Sequence, residues 1–265
     1  MAAKYNSTWG FNIPNDGLPD SVEVWIDCFD GLHDSKSKIK IFVSIEPNEI
    51  INLNNELLNR KNEFNYILTY DDDVLNKINN GILFEYGTTW IDIKEYTYPS
   101  KSFSVSTICG HKELTQNHIL RKELWYNQTK IMIPKNFYMS RFGGVQPIDN
   151  NPILYESKFP LFDSMFHICI ENVTRNNFFT EKIIDSFLCK TIPIYIGCPN
   201  IDKYFDVSGI LIAKSPKDII DICNNLTPDY YYSHLKSIEY NYNIAKDWID
   251  YNYRLKNKIK NILNL

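Results

Sequence analysis

The stretch from Phe166 to Asp206, FHICIENVTRNNFFTEKIIDSFLCKTIPIYIGCPNIDKYFD, constrains the fold more than any other part of the chain. Residues 166–170 are a short apolar run ending at the polar pair Glu171-Asn172, the pattern of a buried strand that delivers polar groups at its carboxyl end. A polar loop over residues 173–177 follows. Ile183, Ile184, Phe187 and Leu188 then recur at the three-and-four spacing of a helix packed on one face, with Thr180 placed to cap it and Glu181 and Lys182 in its first turn. Residues 192–196 read as a second strand, closed by the turn Gly197-Cys198-Pro199-Asn200. Strand, crossover helix and strand make a right-handed parallel unit. Ligands of open α/β sheets bind outside the carboxyl ends of the strands, and a helix N-terminus offers unpaired N–H groups and partial positive charge, so an anionic ligand belongs here. The pattern alone fits equally well a solvated helix with ordinary first-turn charges.

The same alternation runs through the rest of the chain. Strands over 22–29, 38–45, 64–69 and 82–86 are interleaved with a helix over 51–60 and a short helix that Asp71-Asp72-Asp73 opens and that runs to residue 80. That order predicts a parallel sheet. A second series starts near Lys101, with a strand over 103–108 and a helix over 117–125 that turns Leu120 and Leu124 inward. A short apolar run at 131–133, a loop at Gly143-Gly144 and an irregular segment to residue 159 lead into the central unit. A strand over 209–213, a helix that Ser215-Pro216 starts and one or two terminal helices complete the chain. The fold class is α/β, with two Rossmann-like β/α lobes, a cleft between them and C-terminal helices. Residues 1–100 form a short first lobe and residues 101–265 the second.

Composition narrows the function. With 265 residues, 44% of them hydrophobic, the chain can bury a core without staples. A net charge of −4 and the lack of a long basic stripe argue against nucleic acid as a partner. The six cysteines have no metal-ligand spacing and lie mostly in apolar segments, as reduced core residues do. No stretch is long enough to span a bilayer and the first residues do not read as a signal peptide, so the expectation is an intracellular, cytoplasmic soluble protein or a domain of a longer one. Asp71-Asp72-Asp73 reads either as a set of divalent-cation ligands or, more simply, as an acidic first turn. Tyr230 to Tyr232 reads as a sugar platform or a packing surface, and the five histidines as structural residues, with His118, near Arg121, a candidate for the cleft.

Residues 172–200, with FFTEKIID and TIPIYIGCPN, resemble the C-terminal signature of the α-1,3-fucosyltransferases, glycosyltransferase family 10. The resemblance extends more weakly over roughly residues 38 to 215. It implies a GT-B type fold and an inverting transfer of fucose from GDP-fucose to a hydroxyl of a glycan acceptor, without an essential metal or other cofactor. On that resemblance Glu181 holds the ribose hydroxyls of GDP and Lys182 contacts the phosphates, while Glu171, Asn172, Phe178 and Thr180 complete the donor side. NHILRKELW places Arg121 where the family pairs an arginine with the diphosphate, and SIEPN places Glu46 where it carries a general base. Gly143, Gly144 and Gly197 are expected at the cleft. Close relatives carry Tyr at the position of Phe178, which keeps a stacking surface but loses the hydroxyl. That loss leaves room for a same-fold transferase using another nucleotide sugar, for example UDP-linked. A non-catalytic nucleotide-sugar or glycan-binding module is the third reading.

Overall fold

The computed structural model describes residues 4–7 and 18–265, and the chain divides into two units: Met1–Tyr86 with Asn176–Phe178 and Asp250–Leu265, and Gly87–Arg175 with Phe179–Ile249. In the first unit β1 (Lys4–Ser7), β2 (Val22–Ile26), β3 (Ile39–Val43), β4 (Tyr66–Thr69) and β5 (Gly81–Leu83) form one sheet in the order β1-β2-β3-β4-β5, every pair parallel. The strand β1 falls in the polar opening of the chain, where the sequence predicts none; residues 1–3 and 8–17 of that opening lie outside the described residues.

Strand β2 is not half-exposed, as an alternating strand would be: all five of its residues are buried. Successive side chains point to opposite faces, and both faces are covered. Val22, Val24 and Ile26 pack with Leu255 and Ile259, and Trp25 packs with Phe42, Leu57 and Phe64. The single helix expected over 51–60 is two, α1 (Asn48–Ile51) and α2 (Asn54–Arg60), because Asn52 takes a left-handed φ of 51° and ends the first. A short α3 (Asp72–Leu75) precedes β5. Leu255 and Ile259 belong to the last helix of the chain, which the sequence reading groups with the second lobe but whose contacts place it in the first unit.

The second unit holds β6 (Ser102–Cys109), α4 (Gln116–Tyr126), β7 (Lys135–Ser140), β8 (Ile153–Leu154), β9 (Ser164–Ile170), α5 (Glu181–Leu188), β10 (Ile192–Ile196), β11 (Leu211–Ile212), α6 (Pro216–Asn225), α7 (Pro228–Ser233) and α8 (Leu235–Ala245). The C-terminal helix of the first unit is α9 (Tyr251–Leu263). The second sheet runs β11-β10-β9-β6-β7-β8, again all parallel. Leu124 and Trp125 of α4 and Ile219 and Cys223 of α6 cover one face; Ile183, Ile184, Phe187 and Leu188 of α5 cover the other. The crossover β9-α5-β10 is the one the sequence predicts, with Thr180 as the cap of α5. The segment to residue 159, expected to be irregular, contains β8, and β7 lies before the Gly143-Gly144 loop, where no strand was expected beyond the apolar run at 131–133. All six cysteines are buried and free.

Candidate active site

From β6 the second sheet grows outward through β7 to β8, and the chain then returns to lay β9 on the other side of β6. The connections leaving β6 and β9 therefore diverge, which opens a crevice at the carboxyl ends of these two strands. Their ladder stops at Ser106 and His167, although β6 continues to Cys109 and β9 to Ile170. The N–H of Glu171 donates to Ile196 O on the β10 side, so the carbonyl of Ile170 faces β6, where no strand partner meets it. Arg121 fills that place. Its Nε donates to Ile170 O at 2.9 Å, its Nη2 donates to the same oxygen, and Nη2 also donates to Asn172 Oδ1 at 3.0 Å. Helix α4, capped by Thr115, carries Arg121 into the crevice from its second turn.

His118 lies one turn before Arg121 and is 2% exposed. Thr115 Oγ1 donates to Asn172 O, so toward His118 it accepts: Nδ1 carries the ring proton at 2.9 Å and Nε2 is left as a buried lone pair with no hydrogen-bond partner. Burial, then Arg121, Lys112 and Lys182, push the His118 pKa down to about 4.

Glu171 is wholly buried, and both its oxygens are used within the protein: Oε1 accepts from Thr180 N at 2.8 Å and Oε2 from Thr180 Oγ1 at 2.7 Å. It therefore orients the cap of α5. Gly197 makes this possible, since a Cβ there would lie 2.6 Å from Glu171 Cγ and 2.4 Å from the Tyr195 hydroxyl oxygen. Lys182 Nζ sits 3.2 Å from Glu181 Oε1 and 3.7 Å from Glu171 Oε2. Burial raises the Glu181 carboxyl, but Lys182 and Lys158 outweigh it and hold the pKa down to about 2. Burial raises the Glu171 carboxyl, against the pull of Lys182.

Two further groups, Lys158 and Asp185, escaped the sequence reading. Lys158 Nζ lies 3.6 Å from Glu181 Oε1 and 3.2 Å from Asp185 Oδ2. Asp185 Oδ1 accepts from Thr89 Oγ1 at 2.7 Å and Trp90 N at 3.1 Å. A polar residue four positions after Glu181, on the buried side of an otherwise apolar helix face, was a legible signal for Asp185. Nothing in the local pattern marked Lys158.

Gly143 and Gly144 follow β7 with φ of 74° and 104°. A Cβ on Gly144 would lie 2.0 Å from His111 Cα, so the loops after β6 and β7 cross at that glycine.

Glu46 lies in the first unit, just after β3. Asp27 fixes its turn by accepting from the N–H groups of Ile45 and Glu46, both at 2.9 Å. Phe178, also of that unit, is 1% exposed with its ring 4.9 Å from that of Tyr70, so in this structure packing takes up the expected stacking face. Asp71 caps α3 and accepts from Asn54 Nδ2 at 2.8 Å, while Asp72 Oδ1 and Oδ2 accept from Asn177 and Asn176 at 3.0 and 3.3 Å. Among the described residues no three His, Cys, Asp or Glu side chains group as metal ligands. None of the helices among those residues is long and apolar enough to cross a membrane.

The two parallel sheets with their covering helices define the GT-B class of glycosyltransferase fold. A crystal structure of an α1,3-fucosyltransferase with GDP-fucose matches at a TM-score of 0.54 and 14% identity, over 94% of this chain and 92% of that one. TarM matches at a TM-score of 0.58 and 11% identity, over 90% of this chain and 54% of its own. The pneumococcal O-GlcNAc transferase GtfA, in complex with UDP and GlcNAc, matches at 0.52 and 11% identity, over 91% of this chain and 57% of that one. In sequence, 41 residues are 46% identical to the α-(1,3)-fucosyltransferase FucT of Helicobacter pylori, a stretch that spans 16% of this chain and 9% of that relative's length. No protein-family model matches. The chain is thus α1,3-fucosyltransferase-like in fold and in that one segment.

Proposed function

We propose that the chain is an inverting glycosyltransferase that moves fucose from GDP-fucose to a hydroxyl of a glycan acceptor, without an essential divalent metal. The observation that carries this reading is the grouping of Arg121, Lys182 and the ionised Glu181 where β6 and β9 part. Arg121 and Lys182 stabilise the negative charge that GDP gains as the glycosidic bond breaks. Asn172 and the cap of α5, set by Glu171 and Thr180, hold the diphosphate-facing turn. Glu46 takes the proton of the acceptor hydroxyl as that oxygen attacks the anomeric carbon from the face opposite the nucleotide. One C–O bond forms as another breaks, and the configuration inverts.

Thermal-shift measurement with GDP, UDP and their sugars, paired with mass spectrometry of acceptor mixtures, tests the reading. A ligand at about 100 times its Kd adds roughly 2.7 kcal/mol to stability. Stabilisation by GDP-fucose together with a product heavier by one deoxyhexose supports the proposal. A shift with UDP compounds only would favour the second reading, a same-fold transferase with another donor, to which the missing hydroxyl at Phe178 points. Binding without product would leave a nucleotide-sugar-binding module.

A further inference from the structure

Glu181 and Asp185 stand one turn apart on α5, both buried and both acidic, an arrangement that repels itself unless a cation lies between them. Lys158, from the connection between β8 and β9, supplies that cation. Its ammonium lies 3.6 Å from one carboxylate and 3.2 Å from the other, and the exposed indole of Trp90 lies 4.5 Å from it. Asp185 in turn holds the hydroxyl of Thr89 and the N–H of Trp90, so the clamp closes on the residue that roofs it.

The distribution of contacts over Glu181 is uneven. Lys158 and Lys182 both approach Oε1, and the Thr180 side chain is a further group that holds this carboxyl ionised. A carboxylate kept ionised by ammonium groups gathered at one of its oxygens is suited to accept from neighbouring hydroxyl groups; a protonated one would present a donor instead. The geometry points to Lys158 as a positioning residue that, through Glu181, fixes the affinity of the site for the ribose diol of a nucleoside diphosphate. This rests on the donor-site reading above and adds to it a residue outside the resemblance to known transferases. The other charged groups facing Glu181 are Lys182, Glu171 and, from α4, Arg121.

The test compares GDP with inorganic pyrophosphate, which has the anion but no ribose, by isothermal titration calorimetry between pH 5 and 8. In Lys158→Met, GDP affinity is expected to fall about tenfold at pH 7. The loss should deepen toward pH 5 as Glu181 takes up a proton, while pyrophosphate affinity stays within about twofold. Lys158→Arg should restore GDP binding, and in a Glu181→Gln background Lys158→Met should add no further loss. Equal loss for GDP and pyrophosphate, or an unchanged pH profile, overturns the inference and leaves the donor site standing. If the unaltered protein binds pyrophosphate but gains nothing from the nucleoside, both the inference and that reading fall. Carboxyl NMR of the unaltered protein needs no variant: Glu181 should stay ionised below pH 4, and titration at the ordinary glutamate value would overturn the clamp.

Discussion

The side chain of Glu171 occupies the space that any Cβ at Gly197 would need, with only 2.6 Å between that position and Glu171 Cγ. The end of β10 passes so close to the end of β9 that the carboxylate orienting Thr180 depends on a bare Cα across the strand.

Gly197→Ala should therefore destabilise the second unit by about 1–3 kcal/mol, since both obstructing groups are buried. Denaturant unfolding measures this. An unchanged midpoint would show that Glu171 and Tyr195 move aside freely.

His118 should stay neutral far into the acid range. Its native pKa, about 4, lies below the ordinary 6.5, so below pH 6.5 the unfolded chain binds a proton that the native state refuses. The stabilisation is complete above pH 6.5 and is lost as the pH falls toward 4, up to about 3 kcal/mol. Imidazole NMR should show the Nδ1–H tautomer above pH 5, and His118→Asn should flatten the dependence of stability on pH. A normal titration near pH 6.5 would refute the burial argument.

Glu46→Gln should lower transfer roughly a hundred- to ten-thousand-fold with GDP affinity within about twofold of the unaltered protein, as removal of a general base does. Initial-rate kinetics with calorimetry separates the two quantities. Normal turnover would remove Glu46 from the mechanism.

Asp72→Ala should release Asn176 and Asn177, speed hydrogen exchange at residues 176–178, and cost about 1 kcal/mol. Exchange mass spectrometry reads the segment directly, and unaltered protection there would show that the packing of Phe178 on Tyr70 suffices.

What the sequence disclosed depended on how sharply each residue's environment marks its pattern. The unit β9-α5-β10 was legible because Ile183, Ile184, Phe187 and Leu188 describe one helix face and Thr180 is a typical cap. Strand β7 was not, since KNFYMS has one fully buried side chain, Phe137, and β8 is only two residues long. The break between α1 and α2 rests on the conformation of Asn52, which spacing does not reveal. In the candidate site, Lys182 was marked by the first turn of its helix, and Arg121 only by the resemblance that NHILRKELW carries. Lys158 comes from a connection without periodicity, and only the fold brings it to Glu181.

The assignment of Asn176–Phe178 and Asp250–Leu265 to the first unit has a consequence for how this chain can be cut. The polypeptide passes from one unit to the other at 86/87, 175/176, 178/179 and 249/250, so no single scission liberates either. A fragment ending at Tyr86 would leave Val22, Val24 and Ile26 without Leu255 and Ile259 over them, a bare apolar sheet face prone to self-association. Ribosomal synthesis meets the same condition: the sheet of β1 to β5 gains this covering helix only after residues 251–263 have been added.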